Sequence, residues 1–299
     1  MSIFTLYFLI SQILWGFFPV FWKELAMLDP IYLLAVRIVF SALFCGLCLL
    51  FTDHAATRKS LTNWKLMRRL SLASIFITIN WGLYIYLVNN GHIFDASLAY
   101  FIGPILCLLF SAFIFREPMN RWQTASILVA AAGILSAFLV YGTIPWRALL
   151  LCSPFAIYSA IKKGLQVSGM FSVFAESLVM TVPSLFIIVW YEIHGERAIG
   201  VLTGWEWLLI PATGVVTSIP MIFFAAGLRG VSFSVAAILM YGSPMIQLFL
   251  APLYGETPTP AMLVNAPFVF LAVLLFITGN LRQAKALRDR VRNPERHDA

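Results

Sequence analysis

Long apolar runs parted by short polar breaks dominate the chain. Uncharged stretches cover 3–22, 70–94, 96–115, 122–146, 207–228, 230–255 and 257–281, and 30–52 is interrupted only by Arg37. The stretch 148–191 holds room for two more, split by Lys162 and Lys163. A helix that crosses a bilayer needs about 20 mainly apolar residues. The pattern therefore predicts an all-α polytopic membrane protein with ten transmembrane helices: 3–22, 31–51, 71–89, 96–115, 122–141, 146–163, 173–193, 207–227, 232–253 and 261–281. The breaks carry Asp29-Pro30, Asn89-Asn90-Gly91, Glu117-Pro118 and Thr257-Pro258-Thr259-Pro260, residues that stop helices and turn the chain. The alternating segments of a membrane β-barrel, about ten residues each, are absent.

Composition agrees with the pattern. Of 299 residues, 61% are apolar and 11% charged, against about 45–50% and about 25% in soluble domains. That excludes a water-facing globule, and intrinsic disorder would need the opposite balance. Charge adds orientation. With a cytoplasmic N-terminus, sixteen of the 20 basic residues fall inside, from Arg58 and Lys59 to the tail with Arg282 and Lys285; only Lys23, Arg147 and Arg197 fall outside. The positive-inside rule then places both termini in the cytoplasm. The net charge of +7 follows from that topology and from anionic lipid, so the bilayer, not nucleic acid, is the expected partner. The first run lacks the basic n-region and cleavage site of a signal peptide. Cys45, Cys48, Cys107 and Cys152 all lie in spans, where they read as buried packing residues, with neither disulfide framework nor metal site. No cofactor motif stands out.

An internal repeat is visible in two spans. ASLAYFIGPILCLLFSAFIFRE (Ala96 to Glu117) aligns with AAILMYGSPMIQLFLAPLYGE (Ala236 to Glu256), Pro104 on Pro244 and, one gap later, Glu117 on Glu256. Both glutamates precede another long apolar run. The chain thus divides into two five-helix halves, 1–142 and 143–281, followed by a basic cytoplasmic tail at 282–299. Five is odd, so the halves lie in opposite senses, with Glu117 cytoplasmic and Glu256 external. Pro104 and Pro244 are matched kink or hinge candidates. Ala99, Gly103, Cys107 and Ser111, with Ser126, Ala130, Gly133 and Ala137, form small-residue stripes of the kind that let helices approach closely in lipid.

NWGLYIYLVNNGHIFDASLAYFIGPI (Asn80 to Ile105) resembles the signature segment of the RarD group of EamA-type transporters, in the drug/metabolite transporter superfamily. The resemblance extends through ISQILWGFFPVFWK (Ile10 to Lys23), AVRIVFSALF (Ala35 to Phe44) and VTSIPMIFFAAGLRGVSFSVAAILMYGSPMIQ (Val216 to Gln247). It departs from the family pattern at Gly103, where Asn is usual, and at Met240, where Gln precedes the Tyr. The resemblance implies two inverted five-helix EamA repeats, an inner-membrane location and secondary transport of small metabolites or drugs.

Polar side chains inside spans are costly, which makes them candidates for function. Arg37 either snorkels outward or pairs with a helix end, or it anchors an anionic group. Glu176 either pairs with Lys162 or Lys163 or couples transport to protons. Asn80 and Tyr84 share a helix face; Asn80 lines a cavity or ties helices together, and the same choice stands for Gln247. Trp15, Tyr100, Tyr158 and Tyr241 are the aromatics expected to build a pocket for a small, moderately apolar solute. A membrane-embedded lipid-modifying enzyme needs clustered catalytic groups that the scattered four histidines do not provide, and a non-transporting sensor would need an extramembrane domain. The expectation is a transporter and not an enzyme.

Overall fold

Backbone amides in lipid must find partners within their own segment, and helices provide them. In the computed structural model, which describes residues 2–52, 54–90, 92–118, 120–141, 146–194, 200–254 and 260–292, the described chain is helical with short turns and holds no strand. The helices are α1 (Ile3–Gly16), α2 (Phe18–Lys23), α3 (Pro30–Thr52), α4 (His54–Leu61), α5 (Trp64–Asn89), α6 (Ile93–Phe113) and α7 (Arg121–Tyr141). They continue with α8 (Trp146–Lys163), α9 (Gly169–His194), α10 (Leu209–Gly230), α11 (Phe233–Leu239), α12 (Gly242–Leu250) and α13 (Pro260–Arg292). Among the described residues six stretches are long and apolar enough to cross a bilayer: Ile3–Lys23, Pro30–Thr52, Trp64–Val88, Gly169–His194, Gly204–Gly230 and Phe233–Leu250. Leu98–Phe113 and Leu263–Gly279 are shorter apolar helices.

Several boundaries differ from the sequence reading. α5 starts at Trp64 and not near 71, because Asn63 caps it by accepting from the Leu66 N–H at 3.2 Å; Arg68 and Arg69 interrupt the apolar run without interrupting the helix. α13 likewise runs on to Arg292. The segment expected as one helix over 232–253 is broken between α11 and α12, at Met240 and Tyr241. Pro244 explains the break, since it has no N–H to return to the Met240 carbonyl. Pro104 has no such effect, and α6 runs through it unbroken. Pro19 breaks the first stretch between α1 and α2 in the same way as Pro244. The Trp15 carbonyl that Pro19 leaves open receives Gln247 Nε2 at 3.1 Å. Two broken stretches are thus packed together, with α1 against α12.

α3 packs between α9 and α10, α1 against α10 and α12, α6 and α5 against α8, and α7 against α13. Glycine makes close approaches possible: a Cβ on Gly214 would lie 2.3 Å from the Phe40 carbonyl carbon, and one on Gly133 would lie 2.4 Å from Asn265 Oδ1. Ser126, Ala130 and Gly133 are buried where α7 meets α13, and Ala99, Gly103, Cys107 and Ser111 are buried on α6. Both small-residue stripes therefore serve packing. The four cysteines are free. Glu256 lies outside the described residues.

Candidate functional site

Taken as alternating crossings, the long stretches (α1 with α2, α3, α5 to α10, α11 with α12, and α13) put Asp29, Asn90 and Arg147 at one end of the bundle, termed upper, and Glu117, Lys163 and Arg229 at the lower end. Contacts across the chain agree. Tyr32 OH donates to Glu192 Oε1 at 2.7 Å and Asp95 meets Arg147 at 3.6 Å at the upper end. At the lower end Arg229 Nη1 donates to the Val167 carbonyl at 3.1 Å.

Arg37 stands seven residues into α3, about 10 Å below the upper end at 1.5 Å per residue. Its guanidinium carbon lies 4.0 Å from the Trp81 ring centroid and 5.5 Å from that of Trp22. Cation–π attraction of about 0.5–2 kcal/mol holds it there, yet its Nε is buried with no hydrogen-bond partner, and it forms no ion pair among the described residues. Tyr100 lies close enough to feel its charge. The Tyr100 and Tyr84 rings meet edge-on at 5.8 Å. Tyr100 is 40% exposed and Tyr84 38%. The exposed faces of these two rings border open space beside the Arg37–Trp81 stack; that space is the candidate site, termed the hollow. One turn below Tyr84, Asn80 donates through Nδ2 to the Leu151 carbonyl at 2.7 Å, tying α5 to α8.

Below the hollow lies an aromatic layer. Phe224 has ring centroids of Trp15 at 5.1 Å, Phe8 at 5.2 Å, Phe155 at 6.1 Å and Tyr158 at 6.2 Å. Beneath it a polar group is fully buried: Lys162 Nζ lies 2.5 Å from Glu176 Oε1 and donates to Ser172 Oγ at 2.6 Å. Ser172 Oγ donates to Glu176 Oε1 at 2.9 Å, and Tyr158 OH to Glu176 Oε2 at 3.2 Å. Four groups satisfy one another, which is the condition for keeping charge out of water.

The lower end is closed by a clasp. Arg116 adopts φ 49°, a left-handed conformation that turns the chain at the end of α6 and aims Glu117 at α11. Its Oε1 accepts the Phe233 N–H at 2.7 Å and its Oε2 the Ser234 N–H at 2.9 Å, while Ser111 Oγ donates to Oε2 at 2.7 Å. A carboxylate on the first N–H groups of a helix satisfies orphan donors and the helix dipole together. Burial raises the Glu117 pKa, but the Ser234 and Phe233 amides and the Ser111 hydroxyl outweigh it, and the group sits below its usual 4.5. Beside it Lys163 Nζ donates to the Leu228 carbonyl at 3.2 Å and to that of Val231.

The structure thus brings Arg37, Tyr84 and Tyr100 together around the hollow, with Asn80 at its edge. Trp15 and Tyr158 belong to the layer beneath. Tyr241 is fully buried and donates to the Phe101 carbonyl at 3.0 Å, and Gln247 is held by Trp15. Glu176 is engaged by Lys162. The sequence reading did not assign Trp22 and Trp81 to the Arg37 site, nor Ser172 to Glu176. Glu117 was visible as a repeated Glu-before-break, but not as a clasp.

The chain matches the model of the EamA-like transporter family over 2–139 and again over 146–278. Among curated proteins it is 33% identical over 280 residues to "Protein RarD" of Streptomyces exfoliatus, covering 93% of this chain and 89% of that one. It is 32% identical over 292 residues to "Uncharacterized transporter YojE" of Bacillus subtilis (strain 168), covering 94% and 96%. A solved crystal structure, 17% identical, superposes with a TM-score of 0.70 over 94% of this chain and 98% of that chain, a likeness of fold.

Proposed function

The chain belongs to the EamA-like transporter family and is a multi-pass membrane protein, and from that premise we propose that it is a secondary transporter carrying a small solute by alternating access. Two inverted five-helix halves, 1–142 and 143–281, move against each other around the central hollow. The observation that carries this reading is the asymmetry along the bundle axis: an aromatic and cationic hollow in the upper half, and below it an aromatic layer, a buried ion pair and the Glu117 clasp. That asymmetry supports the reading of a carrier accessible from one side.

The helix packing supports the inverted repeat. Exchanging each stretch of the first half for its counterpart in the second turns the α1–α10 contact into the α8–α5 contact, and α1–α12 into α8–α6; α3–α9 and α7–α13 map onto themselves. Two successive family matches over the same halves support it too. The basic residues at the lower end, with Lys163 and Arg229 beside the clasp, support a cytoplasmic lower end and an inner-membrane location. A reporter active only outside the cytoplasm should be active when fused after Glu256 and silent after Arg282; the opposite pattern overturns the orientation. Transport itself is read by flux into proteoliposomes. Saturable movement of at least one solute from a broad metabolite and drug panel is expected, and failure of the whole panel with folded protein would contradict the reading.

A further inference from the structure

Among the described residues Arg37 is the charged side chain placed at the hollow, and it is held without the groups that normally accompany a buried charge. Trp81 and Trp22 cover it at 4.0 and 5.5 Å, Nε has no acceptor, and no carboxylate pairs with it among the described residues. A guanidinium inside a membrane protein is expensive unless something neutralises it. Stacking on an indole leaves the in-plane N–H fork open, a geometry that matches the two oxygens of a carboxylate. The remaining walls are aromatic: the half-exposed faces of Tyr84 and Tyr100 meet edge-on at 5.8 Å, an arrangement that accepts a further ring in offset or edge contact.

We propose that the Arg37 hollow binds a small monocarboxylate that carries an aromatic ring, with the carboxylate on the guanidinium and the ring against Tyr84 and Tyr100. This deepens the transporter reading and rests on it for the role of the hollow. A single cation suits a single negative charge better than a phosphate dianion. With no acid beside Arg37, the ammonium of an amino acid meets no counter-charge, so the neutral-tailed acid is the favoured ligand over its amino-acid analogue.

The test is equilibrium binding to the full chain in nanodiscs, by calorimetry, with 3-phenylpropionate, 3-phenylpropionamide, phenylalanine and hexanoate. The aromatic acid should bind saturably and the other three about tenfold or more weaker: the amide for want of the charged hydrogen bond, hexanoate for want of the ring contact, and phenylalanine for its unpaired ammonium. R37Q should weaken the acid about tenfold or more and leave the amide unchanged, and R37K should retain part of the acid's affinity. The inference is overturned if the amide binds as tightly as the acid, if monodisperse R37Q keeps the acid's affinity, or if none of the four binds. Uptake measured separately in proteoliposomes tells this failure from the other one. Binding of the acid without movement of any solute counts against transport and leaves the site standing. Uptake of another solute class unaffected by R37Q removes the carboxylate site and leaves the transporter.

Discussion

Replacing Lys162 with methionine should cost the fold about 3–5 kcal/mol, the loss expected when one partner of a buried ion pair is removed and the other left charged in apolar surroundings. Glu176 is about as deeply buried as Lys162, with side chains 3% and 2% exposed. Without Lys162 it keeps only the Ser172 and Tyr158 hydroxyls, too little to offset its desolvation. Removing both charges, K162M with E176M, should restore most of the loss, because well-packed apolar groups often replace a buried pair at no net cost. Thermal unfolding of purified protein in one detergent decides it: the single variant should melt far below the double. Equal midpoints for the two would contradict the account of this group as a self-satisfied ion pair.

The sequence and the structure agree where one physical constraint dominates. The run 30–52 is a helix because about 20 apolar residues in lipid can satisfy their backbone in no simpler way, and α3 spans Pro30–Thr52 as that run predicts. Hydropathy is silent where the helix leaves the apolar zone, as at Trp64–Arg69 in α5. Proline chemistry marked Pro104 and Pro244 as equals, but only the second breaks its helix. The Lys162–Glu176 pairing was foreseeable, since the two residues flank one short turn. Arg37 stood out as a lone charge, whereas Trp22 and Trp81 reach it from other helices and carry no signal of their own. Glu117 shows the limit most plainly: its partners are backbone amides 116 and 117 residues away, and backbone groups leave no mark in a sequence.

The second large effect is expected at that clasp. Glu117→Ala removes the acceptor of the Phe233 and Ser234 amides, and hydrogen bonds to a charged group contribute about 1.5–3 kcal/mol each. Because folding lowers the Glu117 pKa below its usual 4.5, the clasp contributes fully above that value and is lost only as pH falls through the lowered one. At neutral pH on the lower side it therefore stays charged and closed. Acidification to pH 5 should leave it shut, as expected of a structural closure.

Opening the clasp also reports on the whole mechanism. In a rocking carrier the two ends are coupled, so energy removed from the lower closure shifts the population towards the state closed above. Spin labels on a cysteine-free background, at Met27 and Asn90 for the upper end and at Arg121 and Gln166 for the lower, give two distances by pulsed electron resonance. Glu117→Ala should lengthen the lower distance and shorten the upper one together. A lower end that opens while the upper distance stays fixed, or no change at either end, would contradict alternating access between the two halves.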